Sequence, residues 1–195
     1  MNRLKAEGKK AEEIKVTLLP YCQLGDSDNW TLTDGQVRKL YGITISDRTA
    51  GIVFYNGQIN SADDFLTAMK DGQNLLYVVD AEGYGICGMG WLNRFEGKTA
   101  RIHFTGFSNV WGQDSVAIYR EVLSQLIRQR DKGGYVFDVF IGITPSRYRL
   151  ALSFLAKVGM RTVGEIPHAC WNAKRQQAEP GMLSYYVRGT HEEDL

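Results

Sequence analysis

Paired cysteines are missing from this chain. Cys22, Cys87 and Cys170 are odd in number, widely spaced and without a C-x-x-C pair, so neither a disulfide framework nor a zinc ribbon is encoded. His168 and Cys170 stand two apart, but the other thiols and imidazoles, Cys22, Cys87, His103 and His191, are remote. A structural zinc site brings a second close ligand pair, so no metal is expected and the thiols read as small buried hydrophobes. A long apolar run is also missing. Nothing approaches the roughly 18 residues of a membrane span, and the first residues, Met1 to Lys15, lack the apolar stretch of a secretory signal. A reduced, cytoplasmic setting fits these absences. Charge of one sign is scarce in excess: 23 Lys+Arg stand against 22 Asp+Glu, net +1, so no overall field draws nucleic acid or anionic lipid. Repeats, low-complexity tracts and the G-x-S-x-G, H-E-x-x-H and Walker signatures are absent, which removes the obvious hydrolase, zinc-protease and NTPase readings.

What is present is a chain of 195 residues, 44% of them hydrophobic, long enough to bury a full core without staples. We expect a charged arm over 1–13, one domain over 14–189 and a polar tail over 190–195. A strand-like run over 14–19 is stopped by Pro20, and Asp26, Ser27 and Asp28 offer helix caps before a helix over 33–40 and a strand over 43–54. Ser61 followed by Asp63 and Asp64 predicts a capped helix to Lys70. The run 75–79, turn chemistry at 80–83 and an extended pattern over 86–95 predict two antiparallel strands. Over 99–107 Ile102 and Phe104 alternate with Arg101, His103 and Thr105, the period of a half-buried strand. The period then changes: Val116, Tyr119, Val122, Leu123, Leu126 and Ile127 form one apolar stripe of a helix over 115–130, stopped by Gly133 and Gly134. A strand over 136–143 follows, and Thr144, Pro145 and Ser146 supply cap and first-turn chemistry for a helix to Val158, with Gly159 beyond its end. Closing strands are expected over 161–171 and 182–187, joined by a polar loop over 172–181.

The segment Arg149-Leu-Ala-Leu-Ser-Phe-Leu-Ala-Lys-Val-Gly-Met160 resembles the A-x-x-L-Y-x-K-x-G-F stretch of the GCN5-related N-acetyltransferases, with Ala151, Phe154, Lys157, Gly159 and Met160 at matching places. The order of elements and the ending Met182-Leu-Ser-Tyr-Tyr-Val-Arg188 are similar to that family as well, so the resemblance covers residues 60 to 189. A similarity to divergent acetyltransferase-like proteins of bacteriophages is also present. The resemblance implies an α+β fold: a mixed, mostly antiparallel splayed sheet with helices on both faces. It implies acetyl-CoA as cosubstrate and an amine or protein acceptor. It further implies a phosphate-cradling loop Q/R-x-x-G-x-G/A after strand 99–107. With Asn109 at the Q/R place, Gly112 is the first glycine and Asp114 takes the last small position; slid by three, Gly112 takes the arginine place, Ser115 replaces a glycine and Ala117 fits. Phe107, Asn109, Gly112, Gln113, Ser115 and Ala117 are therefore the candidate coenzyme residues. The family's general-acid tyrosine falls on Leu155. A catalytically silent, phage-encoded module that binds a protein partner in the host cytoplasm is the alternative reading.

Amine acetylation calls for a base and an acid. His103, on the polar face of its strand, is the candidate base and Tyr148 the candidate acid. Glu165 and His168 are candidates for an acceptor pocket built from 21–60 and 165–181. Gly83-Tyr-Gly-Ile-Cys-Gly88 matches G-x-G-x-x-G but leads into a strand, so its glycines read as backbone approach rather than a dinucleotide site. Arg147, Arg149, Lys157 and Arg161 form a local basic group, read as a solvated face, and the four tryptophans read as core.

Overall fold

The run 75–79 is apolar at consecutive positions because both faces of its strand are covered. In this computed structural model, which describes residues 14–23 and 30–189, strand β2 (Leu75–Ala81) sends Tyr77, Val79 and Ala81 into one core, and Leu76 and Val78 into another. The arm over 1–13, the caps Asp26, Ser27 and Asp28, and the tail over 190–195 lie outside the described residues.

Seven strands of the described residues form one sheet in the order β1-β2-β3-β4-β7-β9-β8. They are β1 (Val16–Tyr21), β2, β3 (Gly85–Glu96), β4 (Thr99–Gly106), β7 (Val139–Pro145), β8 (Arg161–Asn172) and β9 (Gln177–Val187). Every neighbouring pair is antiparallel except β4 and β7. A two-stranded ribbon, β5 (Arg130–Asp131) and β6 (Gly134–Tyr135), lies apart from it. On one face α4 (Gln113–Ile127) buries Ile118, Tyr119, Val122, Leu123, Leu126 and Ile127, and α5 (Arg149–Lys157) adds Phe154 and Leu155. On the other lie α1 (Asp34–Ser46), α2 (Ala50–Val53) and α3 (Ala62–Lys70), which close over Leu76, Val78, Met89 and Trp91. This is the expected α+β architecture.

Several expectations need correction. The strand foreseen over 43–54 is helix: α1 runs on to Ser46 because Val37, Leu40, Tyr41 and Thr44 keep a helical spacing against α3, and packing outweighs the β-preference of the Ile-Thr-Ile run. Pro20 does not stop β1, an edge strand where a missing N–H is tolerated; it pairs with Tyr77. Thr144 and Pro145 finish β7 instead of capping a helix, and α5 begins at Arg149 with no side-chain cap. Most of the loop foreseen over 172–181 is hairpin, since β8 and β9 pair as far as Asn172 and Gln177. Helix α4 starts two residues early, at Gln113, and Ser115 in its first turn donates to the Gly112 carbonyl at 2.8 Å. The helix ends before Gly133 and Gly134, which sit in the small ribbon instead.

Candidate active site

Strands β4 and β7 pair only over 99–101 and 139–141, after which they part while β4 continues to Gly106 and β7 to Pro145. Ladder alternation shows which backbone groups this releases. Phe107 donates its N–H to Cys87 O at 2.8 Å, so odd residues of β4 face β3, and Ile102, Phe104 and Gly106 turn N–H and C=O toward the gap. Across it, Ser146 N–H to Pro180 O at 3.0 Å puts the even residues of β7 on β9, leaving Ile143 and Pro145 toward β4. Pro145, without an N–H, is accommodated for that reason. At the rim, Gly106 O accepts the Trp111 indole N–H at 3.0 Å.

The gap widens into a cleft of about 220 Å³ bordered by His103, Thr105, Thr144, Tyr148 and Leu155. Both candidate catalytic residues therefore line one cavity, although they lie on β4 and at the start of α5. His103 stacks on Trp91, ring centroids 4.7 Å apart and planes within 6°. A chain of amides sets its tautomer: Asn74 donates to Ala68 O at 2.9 Å, Asn93 donates to Asn74 Oδ1 at 3.0 Å, and Asn93 Oδ1 faces His103 Nε2 at 3.3 Å. Nε2 thus carries the proton and Nδ1 holds the lone pair. Burial first, then Arg101 and Arg94, lowers the imidazole to about 3, so it is neutral at pH 7 and a weak proton acceptor. The Tyr148 hydroxyl donates to Gly51 O at 3.0 Å and accepts from Arg147 Nη2 at 2.6 Å. Tyr55, beside it, donates to Cys170 Sγ at 3.5 Å, and burial followed by that bond raises its phenol.

The loop after β4 is a single 3-10 turn, Ser108–Val110, leading through Gly112, at φ 131°, into α4. Asn109 spends its side-chain amide on Tyr84 O and Ile86 O, both at 3.0 Å. Asp47 takes Ser108 N–H at 2.8 Å and Ser108 Oγ at 2.6 Å, and Asp114 accepts the Tyr84 hydroxyl. Two carboxylates therefore flank the place where the resemblance puts a pyrophosphate, and residues 107–115 include no Lys or Arg. Phe107 is buried in the core of the α1 and α3 face, and Ala117 is exposed on α4. Only the backbone of Gln113 is described. The gap and its free strand edges fit a narrow amide-bearing chain, whereas the loop is poorly suited to phosphate charge.

Glu165 and His168 are exposed on β8 and border neither cavity, His168 at φ 58° in an irregular stretch of the strand. Arg147 ion-pairs with Glu179 and lines a second cavity next to the first, together with Lys174 and Arg175. Arg149, Lys157 and Arg161 are exposed. Trp111 and Trp171 are exposed, contrary to the core reading, while Trp91 is buried. Sequence reasoning missed Asp47, Asn93, Tyr55 and the second cavity. Nothing local marks Asp47, which reaches Ser108 across 61 positions.

No family model matches the chain, and no curated protein matches it. Solved structures do. An acetyl transferase from Salmonella typhimurium that modifies the N-terminal serine of 50S ribosomal subunit protein L7/L12 superposes with a TM-score of 0.64 at 11% identity, covering 91% of this chain and 96% of that one. The microcin C7 self immunity acetyltransferase, solved with acetyl-CoA and AMP, gives 0.61 at 16% identity over 91% and 93% of the two chains. Spermidine N-acetyltransferase from Vibrio cholerae, solved with CoA and spermine, gives 0.62 at 10% over 92% and 98%. The chain has the fold of the GCN5-related N-acetyltransferases. The bacteriophage likeness gains no support from these structures.

Proposed function

We propose that this chain transfers an acetyl group from acetyl-CoA directly to an amine. The observation that carries the reading is the parting of β4 and β7 around a cleft bordered by His103 and Tyr148, in a fold shared with acetyltransferases solved with acetyl-CoA or CoA. The pantetheine arm of the coenzyme bears two amides, and the turned-out N–H and C=O groups of Ile102 and Phe104 supply a strand edge on which such a chain pairs. The neutral amine attacks the thioester carbonyl, a C–N bond forms, the C–S bond breaks, and the proton lost by nitrogen ends on the departing thiolate. His103 Nδ1 accepts a hydrogen bond from the incoming amine and orients its lone pair; with a pKa of about 3 it does not hold the proton at equilibrium. The Tyr148 hydroxyl, turned from its bond to Gly51 O, is the candidate donor to the thiolate in place of the tyrosine that Leu155 replaces, and the proton lost by nitrogen restores the phenol, so that the net transfer runs from nitrogen to sulfur.

Asp47 and Asp114 beside the loop favour a second reading, a binding module that keeps the fold without the chemistry. Calorimetric titration with acetyl-CoA, and separately with CoA, distinguishes the two readings. Saturable micromolar binding is the expected result; no heat and an unshifted melting temperature at high ligand select the binding module.

A further inference from the structure

The cavity next to the cleft, about 680 Å³, has a consistent electrostatic character. It is bordered by Arg147 at the start of α5, by Lys174 and Arg175 in the β8–β9 turn, and by Asn60 after α2, while Tyr55 and Tyr148 form its boundary with the cleft and line both. Among the described residues, no carboxylate borders it. Glu179 neutralises Arg147, and the Glu179 carboxylate is itself buried and held by Asn172 Nδ2 at 3.2 Å. Lys174 and Arg175 have no ion pair among the described residues, which leaves two uncompensated cations on the rim.

The turn that carries them is anchored. Ala173 N–H donates to Tyr55 O at 3.1 Å, Arg175 N–H donates to Asn172 Oδ1 at 3.1 Å, and a Cβ on Gly57 would stand 2.5 Å from Ala173 Cβ. The cations are thus presented by a docked hairpin tip, and the volume is that of a small-molecule site. From this we infer that the acceptor amine is a small anionic molecule whose phosphate or carboxylate sits among Arg147, Lys174 and Arg175 while its amine reaches the cleft past Tyr55 and Tyr148. The inference rests on the acetyl-transfer reading and gives its acceptor a chemical class. A polycationic amine is disfavoured by the same charges that attract an anion.

Direct binding to the coenzyme-free protein tests this apart from catalysis. Phosphoethanolamine, glutamate and spermidine are titrated at low salt into the full chain and into a Lys174→Glu/Arg175→Glu variant, both altered side chains being exposed. At least one of the two anionic amines is expected to bind, spermidine is not, and the variant is expected to lose about tenfold or more in affinity for the anion. Binding of phosphoethanolamine alone assigns a phosphate, and of glutamate alone a carboxylate. Spermidine binding as well as the anions, anion binding unchanged in the variant, or no binding of either anion up to about 10 mM overturns the inference. Acetyl-CoA is titrated in parallel: its failure to bind the unaltered chain refutes the acetyl-transfer reading, whereas its binding, unchanged in the variant, leaves that reading standing whatever the amines do.

Discussion

His103 is stacked, amide-bonded and half-buried, and its imidazole is lowered to about 3 against 6.5 when free. Between those values the unfolded chain binds a proton that the folded chain does not, so this residue's contribution to stability falls as pH drops from 6.5 toward 3, with a slope of at most about 1.4 kcal/mol per pH unit. His103→Gln should flatten that part of the stability profile in urea melts between pH 4 and 7, and the unaltered protein should show no imidazole titration near 6.5 for this residue by NMR. At Gly88 the constraint is steric. A Cβ there would lie 1.7 Å from the Tyr119 hydroxyl and 2.7 Å from Thr105 O, so Gly88→Ala should cost roughly 1–3 kcal/mol in equilibrium unfolding. Tyr119→Phe removes the hydroxyl and its 2.7 Å bond to Thr105 O, at about 1 kcal/mol. The double variant should lose less than the sum of the two. The glycine-rich string 83–88 is legible as a motif, but Gly88 serves the tyrosine of a helix that begins 25 positions later. That partner cannot be read from the string.

Among the elements, α1 and α3 are the most local. Thr33 and Gln36 close a capping box, with Thr33 N–H to Gln36 Oε1 at 2.8 Å and Gln36 N–H to Thr33 Oγ1 at 3.3 Å, and Ser61 caps α3. Thr33→Ala should cost about 1 kcal/mol, read by thermal or urea unfolding. The Ser61 cap, with Asp63 and Asp64 in the first turn, is plain in the sequence because capping acts over three or four residues. The loop before α4 works differently. Gly112 is the residue to leave alone: at φ 131° any side chain strains the backbone, so Gly112→Asp confuses folding with ligand binding. Asp114→Asn is the cleaner probe. Removing that charge from the first turn of α4 should tighten acetyl-CoA binding by a few-fold under the acetyl-transfer reading, measured by titration. The acidic position was visible in the motif, whereas its companion Asp47 arrives from the far end of α1.

For the molecule as a whole, the sheet separates two hydrophobic cores, and its one parallel pair opens between them. A ligand that pairs with both free strand edges would bridge the β1–β4 and β7–β9–β8 halves of the sheet. Acetyl-CoA at about a hundred times its Kd should stabilise the fold by about 2.7 kcal/mol, seen as a rise of several degrees in Tm; a module without coenzyme binding shows none. The α+β class, the stripe of α4, the cap of α3 and the antiparallel run from 75 to 107 were all readable in the residues, because periodicity and capping depend on neighbours a few positions apart. The helical state of 43–54 was not, since contact with α3 overrode its β-branched composition. The joining of Asp47 to Ser108, the tautomer of His103 and the gathering of Lys174 and Arg175 with Tyr55 and Tyr148 depend on which strands lie side by side, and on where β4 and β7 part. Those contacts join residues tens of positions apart, and short-range patterning carries no record of such distances.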